Sequence, residues 1–185
     1  AEGAVQTAYF LGLTPEVITS CCGSLFSSDS KGVAAELAGL TPWPTLVLFY
    51  GMAGLILIAG LLFLRWLRLG PLFATSSLLG FGVAIAAIIA FLSLYVYENP
   101  NHHCPFCLLK VGYDYVGYAL YLPLFAAAAM GLSAGVIAPF RRVASLQAVI
   151  TGEVRRLTTL ALIGFGLFYA LATWLVLRSN LILLG

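Results

Sequence analysis

Charge is scarce in this sequence. Of 185 residues, nine are Lys or Arg and seven are Asp or Glu, which leaves a formal net charge of +2. A water-soluble globule carries far more charge on its surface, so that class is excluded. No basic patch of the kind that grips nucleic acid is present, and no nucleic-acid partner is expected. Histidine is scarcer still. The two residues, His102 and His103, sit side by side in one polar stretch. A haem held between histidines inside the membrane is therefore excluded. Only four cysteines occur, as Cys21-Cys22 and Cys104-Pro105-Phe106-Cys107. That is too few for a disulfide scaffold and directs attention to redox or metal chemistry. Leu108 follows Cys107, where covalent haem attachment requires His. No Gly-rich phosphate loop and no internal repeat is found.

Apolar residues are what the chain has in abundance. They make up 62% of it, with a mean hydropathy of +1.03. Crossing a bilayer takes about 20 apolar residues per helix. Four such stretches can be read, at about 45–64, 72–97, 104–137 and 157–177. The expected fold is an all-α integral membrane protein. Residues 44–185 form a four-helix transmembrane bundle, and residues 1–43 form a short extracytoplasmic N-terminal cap. Within that cap, Thr14-Pro15-Glu16 reads as a helix start. Val33, Leu37 and Leu40 fall on one face of a short helix lying on the membrane surface. Gly131 and Gly135 form a G-x-x-x-G, a pattern that lets helices pack closely.

Arg65, Arg68, Arg141, Arg142, Arg155 and Arg156 fall on one side of the four-span arrangement. That side is expected to be cytoplasmic. Both cysteine pairs then lie on the extracytoplasmic side of the cytoplasmic (inner) membrane, where disulfides persist.

Proline suits a first helical position, which predicts that the third span begins at Cys104. Cys104 would be its N-cap and Cys107 its third residue, both near the positive end of the helix dipole. This would lower a thiol pKa and make Cys104 the thiolate. His102, His103 and Lys110 add to that effect if charged. A helix starting there also puts Cys107, Asp114 and Tyr118 on one face, with Tyr113, Tyr115 and Tyr121 around it. A carboxylate and a phenol below a disulfide could hydrogen-bond a quinone carbonyl. Two plainer readings stand beside this one. Tyrosines favour membrane interfaces, and Asp114 could pair with Lys110 at i,i+4 spacing. Cys21 and Cys22, being adjacent, rarely bond each other; one of them could meet Cys104 or Cys107.

In this arrangement the chain resembles the vitamin K epoxide reductase family, in particular its bacterial disulfide-forming members. The features that carry the resemblance are Cys22-Gly23-Ser24-Leu25-Phe26-Ser27-Ser28, a short surface helix, and Leu40-Thr41-Pro42-Trp43-Pro44. Two spans and Cys104-Pro105-Phe106-Cys107 at the outer end of a further span complete it. The resemblance implies a quinone-dependent thiol oxidase on a four-helix core. Cys104 and Cys107 would be the quinone-proximal pair, with Cys22, and with it Cys21, facing an extracytoplasmic thioredoxin-like thiol protein. The family pattern has spaced loop cysteines, a helix ahead of them, and a Tyr where this chain has Val111.

Two other classes compete. His102, His103, Cys104 and Cys107 could ligate zinc or copper. Alternatively the chain is a non-catalytic subunit of a larger membrane complex, in contact with lipid and other membrane subunits, with its cysteines as disulfide staples.

Overall fold

The computed structural model of the protein describes Glu36 and residues 42–99, 102–143 and 145–181. The short helices expected ahead of Trp43, together with Cys21 and Cys22, lie outside the described residues.

The helices are α1 (Pro42–Arg65), α2 (Gly70–Ala87), α3 (Ser93–Tyr97), α4 (Val116–Ile137) and α5 (Gln147–Arg178). A π-helical segment, Ile88–Leu92, joins α2 to α3 without a break. Among the described residues there is no strand. Four helical runs are long and apolar enough to cross a membrane: Trp43–Arg65, Leu67–Tyr97, Val116–Arg142 and Gln147–Arg178. The protein is thus an all-α membrane protein built as a four-helix bundle. Its outward faces fit that setting. Leu48, Leu61, Leu122 and Leu177 stand exposed, as side chains in contact with lipid do.

Small residues decide which helices touch. A Cβ added at Gly131 would collide with the Ser77 side chain, and one at Gly135 with the Cβ of Ala74 and the Gly70 carbonyl. The G-x-x-x-G of α4 is therefore the seam against α2. On its other side, α4 approaches α5 where Gly164 meets Ala127 and the Pro123 carbonyl. Aromatic rings close the bundle between α1, the π segment and α5. Phe49 lies against Phe91, Phe168 and Tyr169, with centroids 5.5, 5.9 and 4.6 Å away.

Two boundaries differ from the sequence expectation. α5 begins at Gln147, ten residues before the expected start at about 157. Its added turns carry Thr151, Glu153, Arg155 and Arg156, which are polar but good enough helix formers to extend the span past the apolar zone. The larger difference is the third span. No helix starts at Cys104; α4 starts at Val116, twelve residues later.

The chain passes back and forth between two unlike ends. The first end gathers Arg65 at the end of α1, Arg68 in the turn after it, Arg141 after α4, and Arg155 in the early turns of α5 around one cleft. The opposite end holds residues 98–99 and 102–115, between α3 and α4, and the exit of α5. Here Asn180 donates from its backbone N–H (3.0 Å) and its Nδ2 (3.1 Å) to the Glu98 carboxylate.

Candidate functional site

Cys104-Pro105-Phe106-Cys107 lies at the end opposite the arginine cleft. Pro105 opens a turn rather than a helix, a place its fixed φ also suits. A 3₁₀ turn, Cys107–Leu109, follows, then an extended Lys110, then a second 3₁₀ turn, Val111–Tyr113. Asp114 and Tyr115 both adopt left-handed backbone, with φ of 50° and 53°. Only then can the chain enter α4. Gly117 lets α4 start flush against the first 3₁₀ turn, since a Cβ there would sit 2.9 Å from the Leu108 backbone.

Both thiols are free and buried, Cys104 at 1% exposure and Cys107 at 6%. Burial is the largest influence on Cys104 and pushes its thiol above the ordinary range. The Cys107 thiol also raises the Cys104 pKa, and the backbone N–H groups of Cys107 and Phe106 lower it. The expectation of a helix-dipole thiolate at Cys104 is therefore corrected. The helix start is elsewhere, and desolvation favours the neutral thiol over the charge.

Backbone carbonyls around the thiols are held by side chains from neighbouring elements. Tyr97, the last residue of α3, donates its hydroxyl to the Cys104 carbonyl at 2.6 Å. Tyr121, in the second turn of α4, donates to the Pro105 carbonyl at 2.8 Å. His103 is 7% exposed, and its Nδ1 lies 2.9 Å from the Ile89 carbonyl in the π segment. A carbonyl only accepts, so Nδ1 carries the proton, and in the neutral ring Nε2 is the basic nitrogen. All five residues of the π segment are buried. Such segments break the i to i−4 ladder and recur at functional sites, and this one presents the carbonyl that His103 uses.

His102 turns the other way. Its ring meets Tyr97 edge-on at 4.4 Å, and its Nε2 is buried with no hydrogen-bond partner among the described residues. Burial first, then His103 and Lys110, lower its pKa, so it is neutral near pH 7. With one histidine ring committed to the π segment and the other to Tyr97, no group of three or more His, Cys, Asp or Glu among the described residues is placed to hold a metal ion.

Beside the thiols lies a groove of about 490 Å3. Pro105, Phe106, Ile85, Ile88, Tyr121 and Phe125 are among the residues that line it. Phe106 is 61% exposed over it. Tyr118 lines this groove. Asp114 does not. It lines a separate cleft with Glu98, Tyr113 and Arg178. The two residues expected on one face are thus parted, because the left-handed pair Asp114-Tyr115 interrupts the helix that would have aligned them. Lys110 and Asp114 form no ion pair; among the described residues the sole one is Arg156–Glu153. The roles of Tyr97 and of the π segment were not read from the sequence. Tyr97 could have been suspected as an aromatic just ahead of the polar stretch, whereas Ile-Ile-Ala-Phe-Leu gives no sign of a π turn.

Set against known families, curated proteins and solved structures, the chain finds no match in any of the three.

Proposed function

We propose that this protein is a membrane thiol–disulfide oxidoreductase that passes electrons from extracytoplasmic thiols through Cys104 and Cys107 to a quinone. One observation carries the reading: two buried free thiols, Cys104 and Cys107, bracket Pro105 and Phe106, which line an apolar groove. Water-soluble oxidants are poorly suited to such a pair, and a lipid-soluble one is well suited. The groove's size and apolar walls fit a quinone ring and the start of its tail. Tyr118 lines the groove and Asp114 does not. When bound, the quinone is the two-electron acceptor. Cys104 and Cys107 lose two electrons and two protons and close a disulfide; the quinone gains both and becomes a quinol. A substrate dithiol then reopens that disulfide by thiolate attack through a mixed disulfide, leaving itself oxidised.

Within this reading, the backbone N–H groups of Phe106 and Cys107 stabilise negative charge on Cys104 as it forms. His103, with Nδ1 committed to Ile89, keeps Nε2 as a proton acceptor close to the thiol pair in sequence. Cys21 and Cys22 precede α1 in the sequence, and one of them is assigned the exchange with an outside thioredoxin-like protein. The arginine-rich end is assigned to the cytoplasm. The resemblance to bacterial vitamin K epoxide reductases agrees with this scheme.

Mapping cysteine redox states in membranes tests it. A Cys104–Cys107 disulfide should form on adding quinone and open on adding a reduced thioredoxin-like protein. A bond that stays unchanged under both treatments would mark the pair as a staple and overturn the proposal.

A further inference from the structure

The arginine end carries a site that the thiol chemistry does not use. Arg65, Arg68, Arg141 and Arg155 line one cleft of about 610 Å3, with Trp66, Leu67 and Leu69 as its remaining walls. They come from the end of α1, the following turn, the 3₁₀ turn after α4, and the early turns of α5. Among the described residues, no carboxylate lines the cleft. The one described acid on the neighbouring turns, Glu153, pairs with Arg156 at 3.8 Å, and Arg156 is outside the lining. Orientation in the membrane needs basic residues at one end, but it does not need them to converge. Four like charges around one cavity repel each other unless an anion joins them. The guanidinium fork is shaped for phosphate oxygens. The apolar walls and the exposed Trp66 ring suit the headgroup level of a bilayer.

We infer that this cleft binds a phosphate-bearing anion, either the headgroup of an anionic phospholipid or a soluble phosphate. Basic pockets between membrane helices take headgroups in this way. The site is independent of the redox reading and stands if that reading fails.

The test uses the full chain in a neutral detergent. It is offered phosphatidylglycerol, phosphatidylcholine or inorganic phosphate, and bound ligand is counted by native mass spectrometry. Retention of phosphatidylglycerol over phosphatidylcholine supports a lipid occupant. Retention of inorganic phosphate with no preference for phosphatidylglycerol supports a soluble one. Each arginine removed should weaken binding about fivefold. R68Q alone should show that step, and R65Q/R68Q/R141Q/R155Q should lose nearly three orders of magnitude. R142Q/R156Q removes charge from the same end but outside the cleft and should bind like the parent. Two results overturn the inference: neither anion is retained, or the control double variant loses as much per arginine as the cleft variants.

Discussion

The two ends of this bundle handle polar groups in opposite ways. At the thiol end, Cys104, Cys107 and His103 are withdrawn from solvent, and the nearby hydroxyls and imidazole are each aimed at a backbone carbonyl. At the arginine end, cations stand in the open with a single exposed ion pair among them. A dry end raises the cost of any charge and makes the state of each proton matter. A wet end leaves charge cheap and available to long-range attraction. The first setting suits the proposed thiol chemistry and the second the proposed anion capture.

The sharpest way to break that contrast is to remove a thiol. C104S or C107S should reduce thiol-driven quinol formation to background, followed by absorbance in membranes, while R65Q/R68Q should leave it near the parental rate. Next in size is the buried histidine. H103L removes the shorter of two side-chain hydrogen bonds to the Ile89 carbonyl, which keeps Ser93 Oγ at 3.3 Å, and should cost about 0.5–1.5 kcal/mol in thermal unfolding. H103N keeps a donor near the Nδ1 position and should recover most of the loss; equal losses in both would show that the hydrogen bond is not the cause. Y97F removes only the hydroxyl on Cys104 and should cost about 0.5–1.5 kcal/mol.

The thiol end should also carry the pH dependence. His102 has a lowered pKa, so the unfolded chain takes up its proton first as pH falls below the ordinary histidine value. Stability should decline there. Cys104 has a raised pKa, so the unfolded chain loses that proton first as pH rises past the ordinary thiol value, and stability should decline again. Alkylation at about pH 8 should label a free thiol peptide faster than Cys104. The smallest effect belongs to the other end: R156Q breaks an exposed pair and should shift stability by less than about 0.5 kcal/mol. A large shift there would undo the distinction between the ends.

Much of the bundle was legible because its signals are periodic or additive. Apolar runs marked the four spans, arginines gathered at one end, and Gly131 with Gly135 marked a helix seam. The thiol segment was less so. Pro105 is equally at home at a helix start and in a turn, and a single glycine, Gly112, is too weak a signal to end a helix between Lys110 and Tyr115. Asp114 and Tyr115 take left-handed backbone without being glycine, a cost that only the surrounding packing explains. So the face expected to unite Cys107, Asp114 and Tyr118 was drawn on a helix that does not exist. The arginines could be assigned a side from sequence, but their convergence depends on how three separate segments meet.

The π segment has a consequence for how this end could change over time. Each residue in an α-helix turns the chain by about 100°. A π turn holds one residue more than the α ladder needs, so the helix beyond Ile88–Leu92 is rotated relative to the part that packs on Gly131 and Gly135. Losing a single codon within that segment would restore an ordinary helix. The seam with α4 would stay as it is, while Tyr97 would swing about a quarter of a turn away from Cys104. The phase of the thiol end is thus set by one residue and is separable from the packing that holds the bundle together.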